Sequence, residues 1–339
     1  MEIPTPWLLF LGDVEDAISG KTSLAIAYWR PERCVGQLRL EGCRVDVGLE
    51  DLSAEEARSR GARAMIVGTV NPGGALPEHW TAAIVGALEA GLDVASGMHQ
   101  RLADVPEIYS AAQSHGRRLF DIRHPSESLP CGTGEPRSGR RLLTVGTDCS
   151  VGKMFTSLAL EKEMRARGMK VDFRATGQTG IFISGSGICV DAVVSDFIAG
   201  AAEVLSPAGE PDHWDVIEGQ GSLYHPSFAG VTLGLIHGAQ PEALVLCHEP
   251  TRSHMRGRPR QALPTVGECL EGVLGAARLT HREARVVGIS VNTSGLTEAA
   301  AHRYLAELEE EHGLPAVDPT RTGVGRIVDA LDPPAGSGS

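Results

Sequence analysis

Positive charge is scarce in this sequence: 31 lysines and arginines stand against 43 aspartates and glutamates, a formal net charge of −12. That shortage excludes a general nucleic-acid binder, because a phosphate backbone needs clustered cations. A small anionic ligand stays possible, since local charge departs from net charge. Cysteine pairing is also missing. The seven cysteines, Cys34, Cys43, Cys131, Cys149, Cys189, Cys247 and Cys269, are scattered and never form a CxxC arrangement, which argues against a disulfide framework and a zinc site. No run approaches the ~20 apolar residues needed to span a bilayer, and the opening MEIPTPWLLFLGDVED turns acidic too soon for a signal peptide. The expected protein is a soluble, cytoplasmic enzyme with no membrane or nucleic-acid partner. Its 339 residues suffice for two domains.

What is present is an α/β rhythm. WLLFLG, ARAMIVGT, DVASG and LFDIRH (Leu119–His124) read as buried strands, separated by Ser53–Arg60 and the helix-like Glu78–Ala90. Pro125–Arg140 is rich in proline, glycine and serine without periodicity and reads as a linker. The expected division is an N-terminal Rossmann-like parallel-sheet domain over 1–138, a C-terminal P-loop NTPase-like α/β domain over 139–332, and a disordered tail over 333–339. In the second part Leu142–Val145, MKVDFRAT, WDVIEG, EALVLCH and ARVVGISVNT read as strands. Helices are expected over Lys153–Arg167, Ala192–Val204, around Thr232–Gly238 and over Thr297–His312, and GQTGIFISGSG as a glycine-rich loop. The strands entering from Trp214, Ala243 and Arg285 bring their polar ends to one sheet edge, where ligands bind in such folds.

The most specific stretch is LLTVGTDCSVGKMFT, Leu142–Thr156. It runs a strand into a glycine-framed loop ending in Gly-Lys, so Gly146, Thr147, Asp148, Cys149, Ser150, Val151, Gly152 and Lys153 are the expected phosphate cradle. Gly146 stands one residue too far from Gly152 for the simple GxxxxGK[ST] pattern, which fits only if it begins at Thr147. The GTDxxVGK form is similar to the loop of dethiobiotin synthetases. Met154 occupies the position where a serine or threonine hydroxyl normally binds magnesium, and a thioether is a poor ligand for so hard a cation. A phosphate-bearing ligand other than Mg-ATP follows as the leading candidate, and no resident metal is expected.

EGQGSLYHP, Glu218–Pro226, places a carboxylate at a strand end ahead of glycines. Glu218 reads as a general base or substrate-orienting group ahead of a metal partner, with simple pairing to Lys153 as the structural alternative. His225 is a second candidate proton carrier. Gln220 and Ser222 share this loop and are candidate substrate contacts, as is Gln178 in the glycine-rich stretch. Arg174, at a strand end, and His248 with Arg252, past the strand LVLCH, suit carboxylate recognition. TRSHMRGRPR, Thr251–Arg260, carries four arginines in ten residues, suited to an anion or to a solvated basic face. Gly20-Lys21-Thr22 resembles a truncated phosphate loop with the wrong upstream spacing. GTVNPGG and SGMHQRL supply backbone amides or tight turns.

Taken together, GDVEDAISGKT, GTVNPGG, SGMHQRL, VGTDCSVGKM, RATGQTGI, DAVVSDFIAGAAE, EGQGSLYHPSFAGVTLGLIHG and VLCHEPTR resemble the two-domain D-glutamate N-acetyltransferase family over nearly the whole chain. The resemblance implies acetyl transfer from acetyl-CoA, as co-substrate, to the amino group of D-glutamate. It fits Met154, because coenzyme A offers phosphates without ATP hydrolysis. A covalent acetyl-Cys149 route is set against the simpler reading of a packed thiol. The alternatives are an ATP/Mg-dependent ligase or kinase resembling dethiobiotin synthetase and a non-catalytic nucleotide- or CoA-binding regulator. A homo-oligomer is expected.

Overall fold

The computed structural model describes residues 3–70, 74–124 and 128–331. The expectations for the centre of GTVNPGG, the first residues of the linker and the tail lie outside the described residues. The chain forms two compact units, Met1–Ser126 with Gly177–Ala192, and Glu127–Thr176 with Val193–Ser339.

In the first unit β1 (Trp7–Gly12), β2 (Cys34–Arg39), β3 (Ala64–Val67), β4 (Asp93–Ser96) and β5 (Leu119–Asp121) form one sheet in the order β2-β1-β3-β4-β5. All pairings are parallel. WLLFLG is buried at all six positions, as a strand covered on both faces must be. β2 escaped the sequence reading because CVGQLR is only partly buried and carries no long apolar run. Four helices connect the strands, α1 (Lys21–Trp29), α2 (Ala54–Ser59), α3 (Thr81–Glu89) and α4 (Pro106–Ser114). A capping box between Ser53 and Glu56 starts α2, and Pro106 opens α4 where its missing N–H costs nothing.

The second unit carries the Gly146–Lys153 loop. β6 (Arg140–Gly146), β7 (Val171–Arg174), β8 (Trp214–Ile217), β9 (Ala243–His248), β12 (Arg285–Val291) and β13 (Ala316–Val317) line up as β13-β12-β9-β6-β8-β7, again all parallel. β10 (His254–Met255) and β11 (Arg258–Ala262) form a separate antiparallel hairpin, so most of TRSHMRGRPR lies in a hairpin. Gly257, at φ +70°, takes the turn conformation that other residues resist. The helices of this unit are α5 (Lys153–Ala166), α7 (Ile198–Leu205), α8 (Ala229–Ala239), α9 (Val266–Arg278), α10 (Glu298–His312) and α11 (Gly325–Asp329), while α6 (Gln178–Ser184) falls in the first unit. The core below the site joins Leu142, Leu160, Met164, Trp214, Val216 and Val245, each such buried side chain contributing about 1.5–3 kcal/mol.

Two expectations change. GQTGIFISGSG contains a helix, α6, ended by Gly185 in the left-handed conformation; its apolar Ile181, Phe182 and Ile183 are buried, and burial outweighs the glycine content. The second domain, expected to run unbroken from 139 to 332, is interrupted by Gly177–Ala192, which packs with the first unit. The tie is polar as well as apolar: Thr179 Oγ1 meets Thr22 Oγ1 at 2.8 Å, Arg30 Nε donates to the Ile183 carbonyl at 3.1 Å, and Arg123 pairs with Asp191.

Candidate functional site: a phosphate loop locked to an arginine hairpin

The site grows from β6, the strand flanked by β9 and β8 in the six-stranded sheet. At its end Gly146 leaves no room for a side chain: a Cβ there would lie 2.8 Å from Val151 Cγ2 and 3.0 Å from both the Asp148 carbonyl and Lys153 Nζ. The chain then curls, with Ser150 at φ +54° and Gly152 at φ +102°, before α5 begins at Lys153. The loop's carbonyls are occupied. Ser222 Oγ donates to the carbonyl of Thr147 at 3.1 Å, Lys153 Nζ to that of Asp148 at 2.8 Å, and Arg252 to those of Cys149 and Ser150 at 2.7 Å each. The amides of Ser150, Val151 and Gly152, by contrast, donate no hydrogen bond among the described residues. A loop whose oxygens are tied back and whose N–H groups are left over, at the start of a helix, is an anion receptor.

Asp148 holds this shape from inside. Its carboxylate is fully buried and accepts from the Cys149 amide (2.7 Å), Arg252 Nη1 (3.1 Å) and the Arg256 amide (2.8 Å). Arg252 also pairs with Glu249 at 2.8 Å, and Arg256 Nη1 reaches Ser150 Oγ. The β10–β11 hairpin is therefore bolted onto the phosphate loop. Asp148 and Arg252, which the sequence offered as ligand contacts, spend their polar atoms on the loop itself.

Lys153 is enclosed. Burial pushes its ammonium below the usual lysine range, opposed by the nearby Cys149, Cys247, Asp148 and Glu218. Burial also pushes the neighbouring Cys247 thiol up to about 11. Glu218 follows β8, and Thr176 clamps it twice, its amide donating to Oε2 at 3.0 Å and its hydroxyl to the Glu218 carbonyl at 2.6 Å. Gly219 must be glycine, because a Cβ there would lie 1.7 Å from the Thr144 carbonyl oxygen. Sequence reading missed Thr176, whose only signal was its place as the last residue of MKVDFRAT. Gln220 donates to Thr176 Oγ1 at 3.2 Å.

The remaining candidates divide. His225 is buried; the Ser227 amide donates to its Nδ1 at 3.2 Å, so Nε2 carries the proton it gives to the Arg256 carbonyl at 3.1 Å. Both nitrogens are spent linking the Glu218–Pro226 loop to the hairpin, which leaves no ready proton acceptor. His225, Asp148 and Cys149 bring ligand-type atoms within 4.8 Å of one another, but with the Asp148 oxygens already taken the group is a poor cation cage. Arg174 does not face the loop: its Nε donates to Asp215 at 2.7 Å, a buried carboxylate that also accepts from Ser206 Oγ. Gln178 belongs to the first unit; with its amide oriented to satisfy both neighbours it donates to the Gly97 carbonyl at 2.8 Å and accepts from Arg123 Nη2 at 3.2 Å.

His248 contacts Thr147 Oγ1 through Nδ1 at 3.1 Å. Burial lowers its pKa to about 4, with Glu249 raising it and Arg252 lowering it, so the ring is neutral at pH 7 and Arg252 is the cation of the pair. Below about pH 6.5 the unfolded chain binds a proton that the folded ring refuses until about pH 4. Stability therefore falls as pH drops through that window. His248→Asn is expected to abolish about 2.4 kcal/mol of this loss, read as the difference between urea unfolding free energies at pH 7 and pH 4.5. An identical pH dependence in the variant would refute the assignment.

The parallel six-stranded sheet, the Gly146–Lys153 loop and the helix that follows define a P-loop protein, carried on one chain with a Rossmann-like parallel-sheet unit. Residues 130–328 match the P-loop domain of unknown function DUF1611_C, and residues 38–125 match its Rossmann-like counterpart DUF1611_N. The chain belongs to the DUF1611 family. It is 51% identical over 329 residues to the D-glutamate N-acetyltransferase of Tritonibacter scottomollicae, covering 97% of this chain and 99% of the relative. It is likewise 51% identical over 331 residues to the D-glutamate N-acetyltransferase of a Pseudoalteromonas species, covering 98% and 100%. The crystal structure of a DUF1611 family protein from Anabaena variabilis superposes with a TM-score of 0.87 at 33% identity, covering 97% of this chain and 99% of the other. Among the described residues no helix is long and apolar enough to cross a membrane.

Proposed function

We propose that the protein is an N-acetyltransferase that moves an acetyl group from acetyl-CoA to the amino group of D-glutamate, with the Thr147–Lys153 loop holding phosphates of coenzyme A. The acceptor and the reaction class rest on the two full-length relatives at 51% identity. The donor rests on one structural observation: the loop presents unengaged amides and a buried lysine for phosphate, while Met154 stands where a magnesium-binding hydroxyl belongs. The same reading keeps the enzyme in the cytoplasm, where the acyl-CoA pool lies, and as a homo-oligomer.

Acetyl transfer needs a neutral amine, a proton acceptor to make it, and donors for the tetrahedral oxyanion. The geometry argues that these lie away from the phosphate loop. In coenzyme A the pantetheine arm separates the thioester from the nearest phosphate by about 15 Å, the reach of four or five extended residues. Glu218 stands close enough to Lys153 to influence its charge, which puts it at the phosphate end. Its role in this reading is to position Lys153 and the loop. Glu218→Gln is expected to raise KM for acetyl-CoA about 10-fold and to change kcat by less than about 3-fold, with the pH profile of kcat unmoved. A fall in kcat of about 100-fold with a displaced pH limb would instead make Glu218 the general base.

The deciding assay mixes metal-stripped protein with acetyl-CoA and D-glutamate, with L-glutamate and ATP-Mg in parallel, and follows free thiol and ADP. Thiol release that requires D-glutamate and ignores EDTA is the expected result. ADP release without thiol would transfer the site to an ATP-dependent ligase, and saturable binding without turnover to a regulator.

A further inference from the structure

The hairpin holds three positive charges that the protein itself leaves unanswered. Arg256, Arg258 and Arg260 have no carboxylate within ion-pairing distance among the described residues, in a chain with 43 acidic side chains. Arg256 rests on Ser150 Oγ of the phosphate loop, and Arg258 donates to Ser227 Oγ at 2.7 Å. Both partners are neutral hydroxyls. Arg260 is exposed, and its side chain makes no hydrogen bond or ion pair among the described residues. Arg258 and Arg260 lie two residues apart on β11, which is exposed at every position and bulges away from regular pairing between Arg258, opposite Met255, and Ala262, opposite His254. Arg258 reaches the segment after Glu218, which brings the start of β11 to the loops of the site. The arginines thus form a row that starts on the phosphate loop and steps away from it, on a hairpin held in place by Asp148, Arg252 and His225.

Unpaired guanidinium groups beside a phosphate cradle suit a second, terminal phosphate, since a dianion can take paired hydrogen bonds from each of them. We propose that Arg258 and Arg260 recognise the 3′-phosphate of the donor's adenosine, so that the site selects 3′-phosphorylated acyl carriers over those that end in a plain ribose. This rests on the acetyl-CoA reading. Within that reading it assigns the hairpin to donor specificity: the loop holds the phosphates common to both carriers, and the arginine row reads the one that differs. A basic face merely kept in water would show no such preference.

The test compares acetyl-CoA with acetyl-3′-dephospho-CoA as donors for D-glutamate, using wild type, Arg260→Ala and the Arg258→Ala/Arg260→Ala double variant. Charge-assisted hydrogen bonds of this kind correspond to about 10–100-fold in affinity. Wild type is expected to prefer acetyl-CoA by that factor in kcat/KM. Removing the phosphate should cost Arg260→Ala several-fold less and the double variant almost nothing, so that the two losses do not add. Equal use of both donors by wild type, or an undiminished preference in the double variant, overturns the proposal. Thermal stabilisation by adenosine 3′,5′-bisphosphate gives a readout without turnover. If no donor yields D-glutamate-dependent thiol release, the acetyl-CoA reading fails; bisphosphate stabilisation that is lost in the double variant would still uphold the arginine row as a phosphate reader, and its absence in wild type would overturn that too.

Discussion

Lys153→Met is expected to weaken acetyl-CoA binding by about 100-fold or more while leaving the protein folded with an unchanged or higher unfolding midpoint. The two effects have one cause. The ammonium is fully enclosed, and burial lowers its proton affinity, so the folded chain bears the cost of holding a cation out of water. Its contact with the Asp148 carbonyl is a weak return for that cost; a bound phosphate supplies the opposing charge. Methionine fills a similar volume without the charge, so the unliganded fold loses a burden and the liganded state loses its central contact. Calorimetric titration with acetyl-CoA beside urea unfolding separates the two. Binding within 3-fold of wild type (about 0.6 kcal/mol) would remove Lys153 from the donor site, and a lowered midpoint would show that the buried charge is structurally needed.

Asp148→Ala should do the reverse, damaging stability and site together. The carboxylate is buried and gathers the Cys149 amide, the Arg252 guanidinium and the Arg256 amide. Removing it strands three donors and releases the hairpin from the loop. Breaking a buried, hydrogen-bonded pair costs about 3–5 kcal/mol. Arg252 keeps Glu249 and some solvent, so a loss of about 2–4 kcal/mol is expected, with KM for acetyl-CoA raised at least 10-fold because the carbonyls of Cys149 and Ser150 lose their fixed arginine. Asp148→Asn should rescue little, since one oxygen becomes an NH2 group facing other donors. An Asp148→Ala protein with wild-type midpoint and KM would show that the loop keeps its shape without this anchor.

Much of the fold was legible because parallel α/β units write themselves locally. Trp7–Gly12, Ala64–Val67, Arg140–Gly146 and Ala243–His248 are apolar runs broken by turn residues, and they need no knowledge of partners to be read as buried strands. The phosphate loop was legible for the same reason: Gly146, Gly152 and Lys153 act through backbone conformation and a charge within eight consecutive residues. Elements whose stability comes from distant contacts were missed or misread. β2 is half-exposed, α6 is a helix of glycine, serine and threonine as much as of apolar residues, and TRSHMRGRPR pairs with itself as a hairpin although nothing in its composition favours strands.

The roles of single polar residues followed the same divide. Sequence alone determined that this is a two-part α/β protein with a P-loop that carries Met154 where a magnesium-binding hydroxyl normally stands, because those properties reside in short stretches of chain. Tertiary structure alone decided what each polar side chain spends its hydrogen bonds on. It turned Arg174 toward Asp215, tied Gln178 to Gly97 and Arg123, kept His248 neutral by burial, and made Asp148 and Arg252 anchors of the loop. A carboxylate or guanidinium can serve a ligand or the protein with the same residue letter. The choice depends on which groups, tens or a hundred residues away in sequence, the packed sheet brings within hydrogen-bonding reach.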